Sequence, residues 1–321
     1  IGHRLFGLHP SPKPLSNVPD GARAILIVRP DHIFQSDAYG LIQKGGIGGE
    51  SLDRFSTACK SNPLASFERI TLFVAGSGAS TQDNLGFIAQ GKYDLAGLVE
   101  CAQAMAPDGR PFEQAEFLDR PAIRGGQGNS IAVFANERTI LGGSPENLKE
   151  IAATLRREGG AGSGNRLLGN AFHAVGEGDL VLLTYVAPAW MKQARAIVSR
   201  VFESWTIPTS VMVVMVGLSV DLQDGLSATV ALHCRGKTEA GELASALEQL
   251  IEGELTESLG VLAPILSTLS VEEAGAHVKI RFRLSAEQLD AAVTLGRRVL
   301  GAAAGESTEA ISQPVDAGIA P

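Results

Sequence analysis

Gly76, Ser77 and Gly78, in the stretch ITLFVAGSGAST (70–81), have the strongest claim on chemistry. An apolar run breaking into glycines is how a phosphate-binding loop opens, because the next helix presents its N-terminal N–H groups to an anion. The residues after Thr81 do not fit that design. Gln82-Asp83-Asn84 leads into LGFIAQG, which is rich in strand formers, and no Lys-Ser/Thr pair completes the loop. A second copy of the stretch decides the reading. GSGASTQDNLGFIAQG (76–91) aligns without a gap on GLSVDLQDGLSATVAL (217–232), placing Gly76 on Gly217, Gln82-Asp83 on Gln223-Asp224 and Leu85 on Leu226. The second copy lacks G-x-G and ends in Asp224-Gly225, a hairpin turn signal. Both copies therefore read as hairpin turns rather than nucleotide sites.

The other reactive residue types are thinly spread. His233 and His277 fall on predicted strands of the second half and could approach one another, but a metal centre needs a third ligand. No Asp or Glu lies within three residues of His233, so solvent-facing histidines are expected. Neither a G-x-S-x-G elbow nor a Cys-His signature is present. The paired carboxylates Glu272-Glu273 and Glu252/Glu254 sit in solvated segments. No catalytic, cofactor-binding or metal-ligating residue is assigned, and no cofactor is expected. The most distinctive polar feature is the strip His277, Lys279, Arg281 and Arg283, alternating with Val278, Ile280, Phe282 and Leu284. It is either a partner-binding face for an anion or the solvated side of a sheet.

Of the three cysteines, Cys59 and Cys101 both belong to the first half, in elements flanking one hairpin. Paired, they close a long loop; unpaired, they are two buried thiols. Cys234 is in phase with Val230 and Leu232 and is expected buried and free.

The elements that carry these residues repeat. The strands ARAILIV (22–28) and DLVLLTYV (179–186) correspond, as do the hairpins above and the helices DLAGLVECAQAM (94–105) and EAGELASALEQLI (239–251). Helices are also predicted at LDRFSTACK (52–60) and PAWMKQARAIVSRVF (188–202). NSIAVFANERTILGG (129–143) reads as a hairpin turning at Asn136-Glu137. SPENLKEIAATLRR (144–157) comes next with Ser144 as N-cap, and SAEQLDAAVTLGRRVL (285–300) carries a Ser285/Gln288 capping box. GGIGGES (45–51) and GGAGSG (159–164) read as loops.

The fold class is therefore α+β: two similar repeated domains with antiparallel-rich sheets and helices packed on one face, although one continuous sheet fits the same pattern. The units are a Pro-rich tether (1–20), a first repeat (21–157), a linker (158–178), a second repeat (179–301) and a disordered tail (302–321). The formal charge of -8 and pI near 5.3 argue against a nucleic-acid surface. A tether containing Pro10, Pro12 and Pro14, in a chain beginning at Ile1, is expected behind a removed signal or membrane anchor.

The segments ACKSNPLASFERITLFV, GFIAQGKYDLAGLVECAQA and SIAVFANERTILGGSPENLKEIA resemble uncharacterised exported proteins and lipoproteins of myxobacteria and related bacteria. In these a Cys-x-x-x-Pro-Leu segment, here Cys59, Pro63 and Leu64, precedes a strand, and a second Cys, here Cys101, lies beyond it. The resemblance covers residues 20–190. It implies export and a Cys59–Cys101 pair, and it brings no activity. The resulting expectation is a non-enzymatic extracytoplasmic protein, envelope-associated and membrane-tethered, that binds an unknown protein or envelope partner or serves a structural role. The alternative is a small-ligand binder or enzyme whose site lies in the cleft between the repeats. Assembly through an exposed sheet edge is a third expectation.

Overall fold

The computed structural model describes residues 13–44, 57, 59, 63–75, 85–105, 112–125, 130–157, 164–201, 205–255, 267–291 and 294. The 76–84 turn, most of the 52–60 helix, the glycine loop at 45–51 and the 302–321 tail lie outside them.

The strands are β1 (Ala22–Val28), β2 (Phe67–Ala75), β3 (Leu85–Gly91), β4 (Glu113–Phe117), β5 (Arg120–Arg124), β6 (Ile131–Asn136), β7 (Thr139–Gly143), β8 (Leu180–Tyr185), β9 (Val213–Asp221), β10 (Leu226–Cys234), β11 (Ser270–Ala274) and β12 (His277–Leu284). They form one 12-stranded sheet in the order β11-β12-β10-β9-β8-β1-β2-β3-β7-β6-β5-β4. Every neighbouring pair is antiparallel. The repeat is plain in that order: β1-β2-β3 runs one way from the centre and β8-β9-β10 the other. The seam is the β1–β8 ladder, where Ile25 faces Leu183 and Leu26 faces Leu182. The two halves thus share one continuous sheet.

Among the described residues the helices include α1 (Pro30–Gln35), α2 (Asp37–Lys44), α3 (Leu95–Met105), α4 (Pro145–Arg157), α5 (Arg166–Val175), α6 (Pro188–Val201) and α7 (Lys237–Leu250). They cover both faces of the sheet, where one face was expected. On one face Leu148 and Ile151 of α4 and Leu168 and Ala171 of α5 pack on Ile25, Phe73, Leu183, Met215 and Ala231, a core that crosses the seam. Successive strand residues point to opposite faces. Leu232 and Cys234 accordingly meet Leu243 and Ala244 of α7 on the other side. There too, Leu98 of α3 meets Phe67 and Ala89, and Ile33 and Ala38 meet Leu222 and Leu284. The cause is legible in ARAILIV and ITLFVA, near-continuous apolar runs typical of strands covered on both sides.

Two expectations about boundaries change. Within the tether, Pro14–Asn17 forms a 3-10 turn whose Leu15 joins Val18 in the main core, so the tether gives way to the fold by Pro14. Within the 158–178 linker, RLLGNAFHAV forms α5, because Leu168, Ala171, Ala174 and Val175 make one apolar stripe and the Asn165 side chain caps the Leu168 N–H.

Glycines allow aromatic rings to lie across the strands. Phe87 faces Gly142 in register, and a Cβ at Gly142 would stand 1.8 Å from the ring. Phe73 covers Gly86 in the same way on the other face. The β4–β5 hairpin turns through Leu118 and Asp119, both at positive φ (52° and 59°). Leu118 accepts that conformation while packing against the core.

Candidate functional site

The seam presents a different chemistry at each end. At one end the β1 ladder is bulged: Ala22 faces Ala75 and Ala24 faces Val74, leaving Arg23 as the extra residue. A bulge re-aims the side chain it extrudes, and Arg23 lines a cavity of about 700 Å³. Ala24, Val74 and Thr184, contributed by both repeats, also line it. So do Asp20, just before β1, and Trp190 in the first turn of α6. Trp190 is 58% exposed, an unusual position for the largest apolar side chain. Asp20 and Arg23 are exposed and join no ion pair among the described residues.

Asn165 holds this end together. Its Oδ1 accepts from the Leu168 N–H at 3.2 Å and from the Tyr185 hydroxyl at 2.9 Å, while its Nδ2 donates to the Asp20 carbonyl at 3.4 Å. One amide thereby ties the α5 N-terminus, β8 and the entry to β1, and fixes the walls of the cavity. Another cavity, of about 640 Å³, lies between α3 and the β4–β5 hairpin, with Asp94 and Glu100 in its lining.

At the other end of the seam, His32 of α1 lies between Arg29 on one nitrogen and the second repeat on the other. Arg29 approaches Nε2 at 2.5 Å; Gln223 approaches Nδ1 at 2.7 Å and Asp179 at 3.2 Å. A guanidinium only donates, so Nε2 carries the lone pair and Nδ1 the proton. The Gln223 amide must then present its oxygen, an orientation that heavy-atom positions do not distinguish from its reverse. Asp179, 1% exposed, accepts the Leu222 N–H at 2.9 Å through Oδ2, while its Oδ1, the atom nearest His32, has no hydrogen-bond partner among the described residues. Histidine beside a buried aspartate is the base-and-orienter half of a nucleophilic site. Here both ring nitrogens are engaged, so the arrangement joins the two repeats and leaves no nitrogen free to take a proton from substrate.

The histidines singled out in the sequence do meet. His233 and His277 are register partners with ring centroids 4.9 Å apart. His233 is not the solvent-facing residue expected. It is 6% exposed, set between Met215 and His277, and its Nε2 has no hydrogen-bond partner. Burial, then the neighbouring His277, pushes its pKa below the ordinary value. No group of three or more metal-ligating side chains occurs among the described residues. Lys279, Arg281 and Arg283 share the face of His277 as expected, but Arg281 is committed to Glu272 at 2.6 Å.

Cys59 and Cys101 form a disulfide across 42 residues. Cys234 ends β10 buried and free, and burial, then Glu239, pushes its thiol up to about 11, making it a poor nucleophile. Among the described residues no helix is long and apolar enough to cross a membrane.

The sequence offered a cleft between the repeats as an alternative site but named none of the residues that line the seam cavity. Its residues are scattered over 20–24, 74 and 184–190, and only the pairing of β1 with β8 assembles them. The one local signal was Trp190, one of two tryptophans in the chain, in the first turn of a predicted helix.

No known protein family matches the chain, and no curated protein does. Among solved structures, crystal form III of TP0453 is similar over 88% of this chain and 97% of its own, with 11% identity and a TM-score of 0.49. Crystal form I of the same protein covers 88% and 96%, with 9% identity and a TM-score of 0.45.

Proposed function

We propose that this protein is an extracytoplasmic binding protein whose small-molecule ligand sits at the seam between its two repeats. The observation that carries the reading is the cavity of about 700 Å³ with Trp190 in its lining, within the size range of small-ligand sites. Both repeats supply its lining, and one asparagine holds its walls. An exposed tryptophan beside unpaired charges is costly to leave on a surface and useful in recognition. The compartment rests on Cys59–Cys101, since disulfides persist in oxidising environments. The sheet edges favour this reading over assembly: β4 (EQAEF) and β11 (SVEEA) are short and acidic, which discourages edge pairing. The non-enzymatic part of the reading rests on His32, which is fully engaged, and on the raised thiol of Cys234.

The test is a thermal-shift screen against a panel of polar and amphipathic small molecules, repeated on Trp190→Ala and on Thr184→Phe, which fills the cavity. A compound that stabilises the protein and loses its effect in both variants supports the reading. A panel without any stabilising compound, or hits indifferent to both variants, overturns it.

A further inference from the structure

The charges around the seam cavity specify the ligand further. Resting on the binding function proposed above, we infer that the cavity takes a small zwitterion of the α-amino acid class, with an apolar side chain.

Asp20 and Arg23 are of opposite sign, line the same cavity and do not neutralise each other. Two residues, Gly21 and Ala22, separate them, so their Cα atoms lie at most about 11 Å apart. Arg23 presents five donors and no acceptor, in a fork that matches a carboxylate. Asp20 presents only acceptors, which match an ammonium group. A ligand with a single charge would leave one of the two facing a like charge or nothing. A ligand carrying both, a few bonds apart, satisfies each. The apolar remainder has its own surface: Ala24 and Val74 line the cavity without a polar atom in their side chains, and the Trp190 indole is open beside them. Such a face selects an aliphatic or aromatic side chain over a polar one.

The backbone that carries the two charged groups is fixed at both residues. Arg23 is extruded by the β-bulge, and the backbone of Asp20 is fixed through its carbonyl by Asn165. A fixed backbone leaves only side-chain freedom to be lost on binding.

Isothermal titration with L-leucine and L-phenylalanine, their carboxamides and their N-acetyl derivatives tests this. The free amino acids are expected to bind, and each derivative to bind about 10- to 100-fold more weakly, as for loss of a hydrogen bond to a charged group. Arg23→Gln should erase the difference between acid and carboxamide while keeping that between amine and N-acetyl. Asp20→Asn should do the reverse. Both substitutions are on exposed side chains, so unchanged far-ultraviolet circular dichroism is expected. Binding of the derivatives as tightly as the free amino acids overturns the inference, as does indifference to both substitutions. If amino acids fail but another compound binds in a manner sensitive to Trp190→Ala, the zwitterion is wrong and the seam site stands. If no compound's binding responds to Trp190→Ala, the site itself is wrong.

Discussion

His32 Nδ1 and Asp179 Oδ1 lie 3.2 Å apart across the seam, one from the helix after β1 and the other from the residue before β8. Each repeat contributes one partner, so the contact exists only when both are folded. Asp179 also accepts the Leu222 N–H, and its own backbone carbonyl accepts from the Arg29 N–H at 2.8 Å. Removing the carboxylate leaves a buried donor unsatisfied. Asp179→Ala is therefore expected to destabilise the protein by about 1–3 kcal/mol. Denaturant unfolding followed by fluorescence and by circular dichroism should show a lower midpoint with coincident transitions. Separate transitions for the two halves would contradict the continuous core that spans Ile25, Phe73 and Met215.

The Cys59–Cys101 bond acts mainly on the unfolded chain, where it removes the freedom of a 42-residue loop. Chain-entropy arguments put this at about 4 kcal/mol. Cys59→Ser with Cys101→Ser should lower the unfolding free energy by about that amount, and reductant should reproduce the effect in the wild type. Cys234, buried and already free, should leave the reductant response unchanged when replaced by Ala.

Legibility in the sequence depends on range. The strands β1, β2, β8, β9 and β10 are apolar runs, and β12 alternates, so local pattern identifies them. The Ser144 and Ser285 caps were legible because capping is a three-residue relationship; both bonds form, at 3.3 and 3.2 Å. The β6–β7 turn falls on Glu137-Arg138, one residue later than expected, because Asn136 pairs with Thr139. The β4–β5 hairpin was invisible because its turn uses Leu118 and Asp119, not the Asn-Gly or Asp-Gly that mark positive φ. Helix α5 was hidden by the glycines before it. The seam cavity had no local signature, since its residues meet only through a pairing of strands far apart in sequence.

Gly142 lies under the Phe87 ring, and no side chain fits between them. Gly142→Ala forces the ring out of its place against Ile140 and Phe134 on that face. A loss of about 1–3 kcal/mol is expected, the usual cost of overpacking. Phe87→Leu combined with Gly142→Ala should recover part of the loss, because the smaller side chain leaves room for the new methyl. A double-mutant cycle from equilibrium unfolding reads the coupling. Strict additivity would mean that the ring does not depend on the glycine beneath it.

The His233–His277 pair makes stability depend on pH in a definite direction. Burial is the larger influence on His233 and the adjacent His277 the next; both lower its pKa from the ordinary 6.5. His277 is lowered too, by burial and then by Lys279, with Glu272 opposing. A group lowered on folding binds its proton more readily when unfolded. The stability attached to the neutral pair is therefore intact above about pH 6.5 and declines as the pH falls below it. The carboxyls of Glu239 and Glu272 are held below their ordinary 4.5, the first mainly by the Met212 N–H and the second mainly by Arg281, so their losses begin at lower pH. Melting temperatures measured between pH 7.5 and 5 isolate the histidines. The wild type should lose stability across that interval. His233→Leu, which removes the buried imidazole, should flatten the decline, and His277→Ala should flatten it partly. An unchanged slope in His233→Leu would assign the acid sensitivity to other groups.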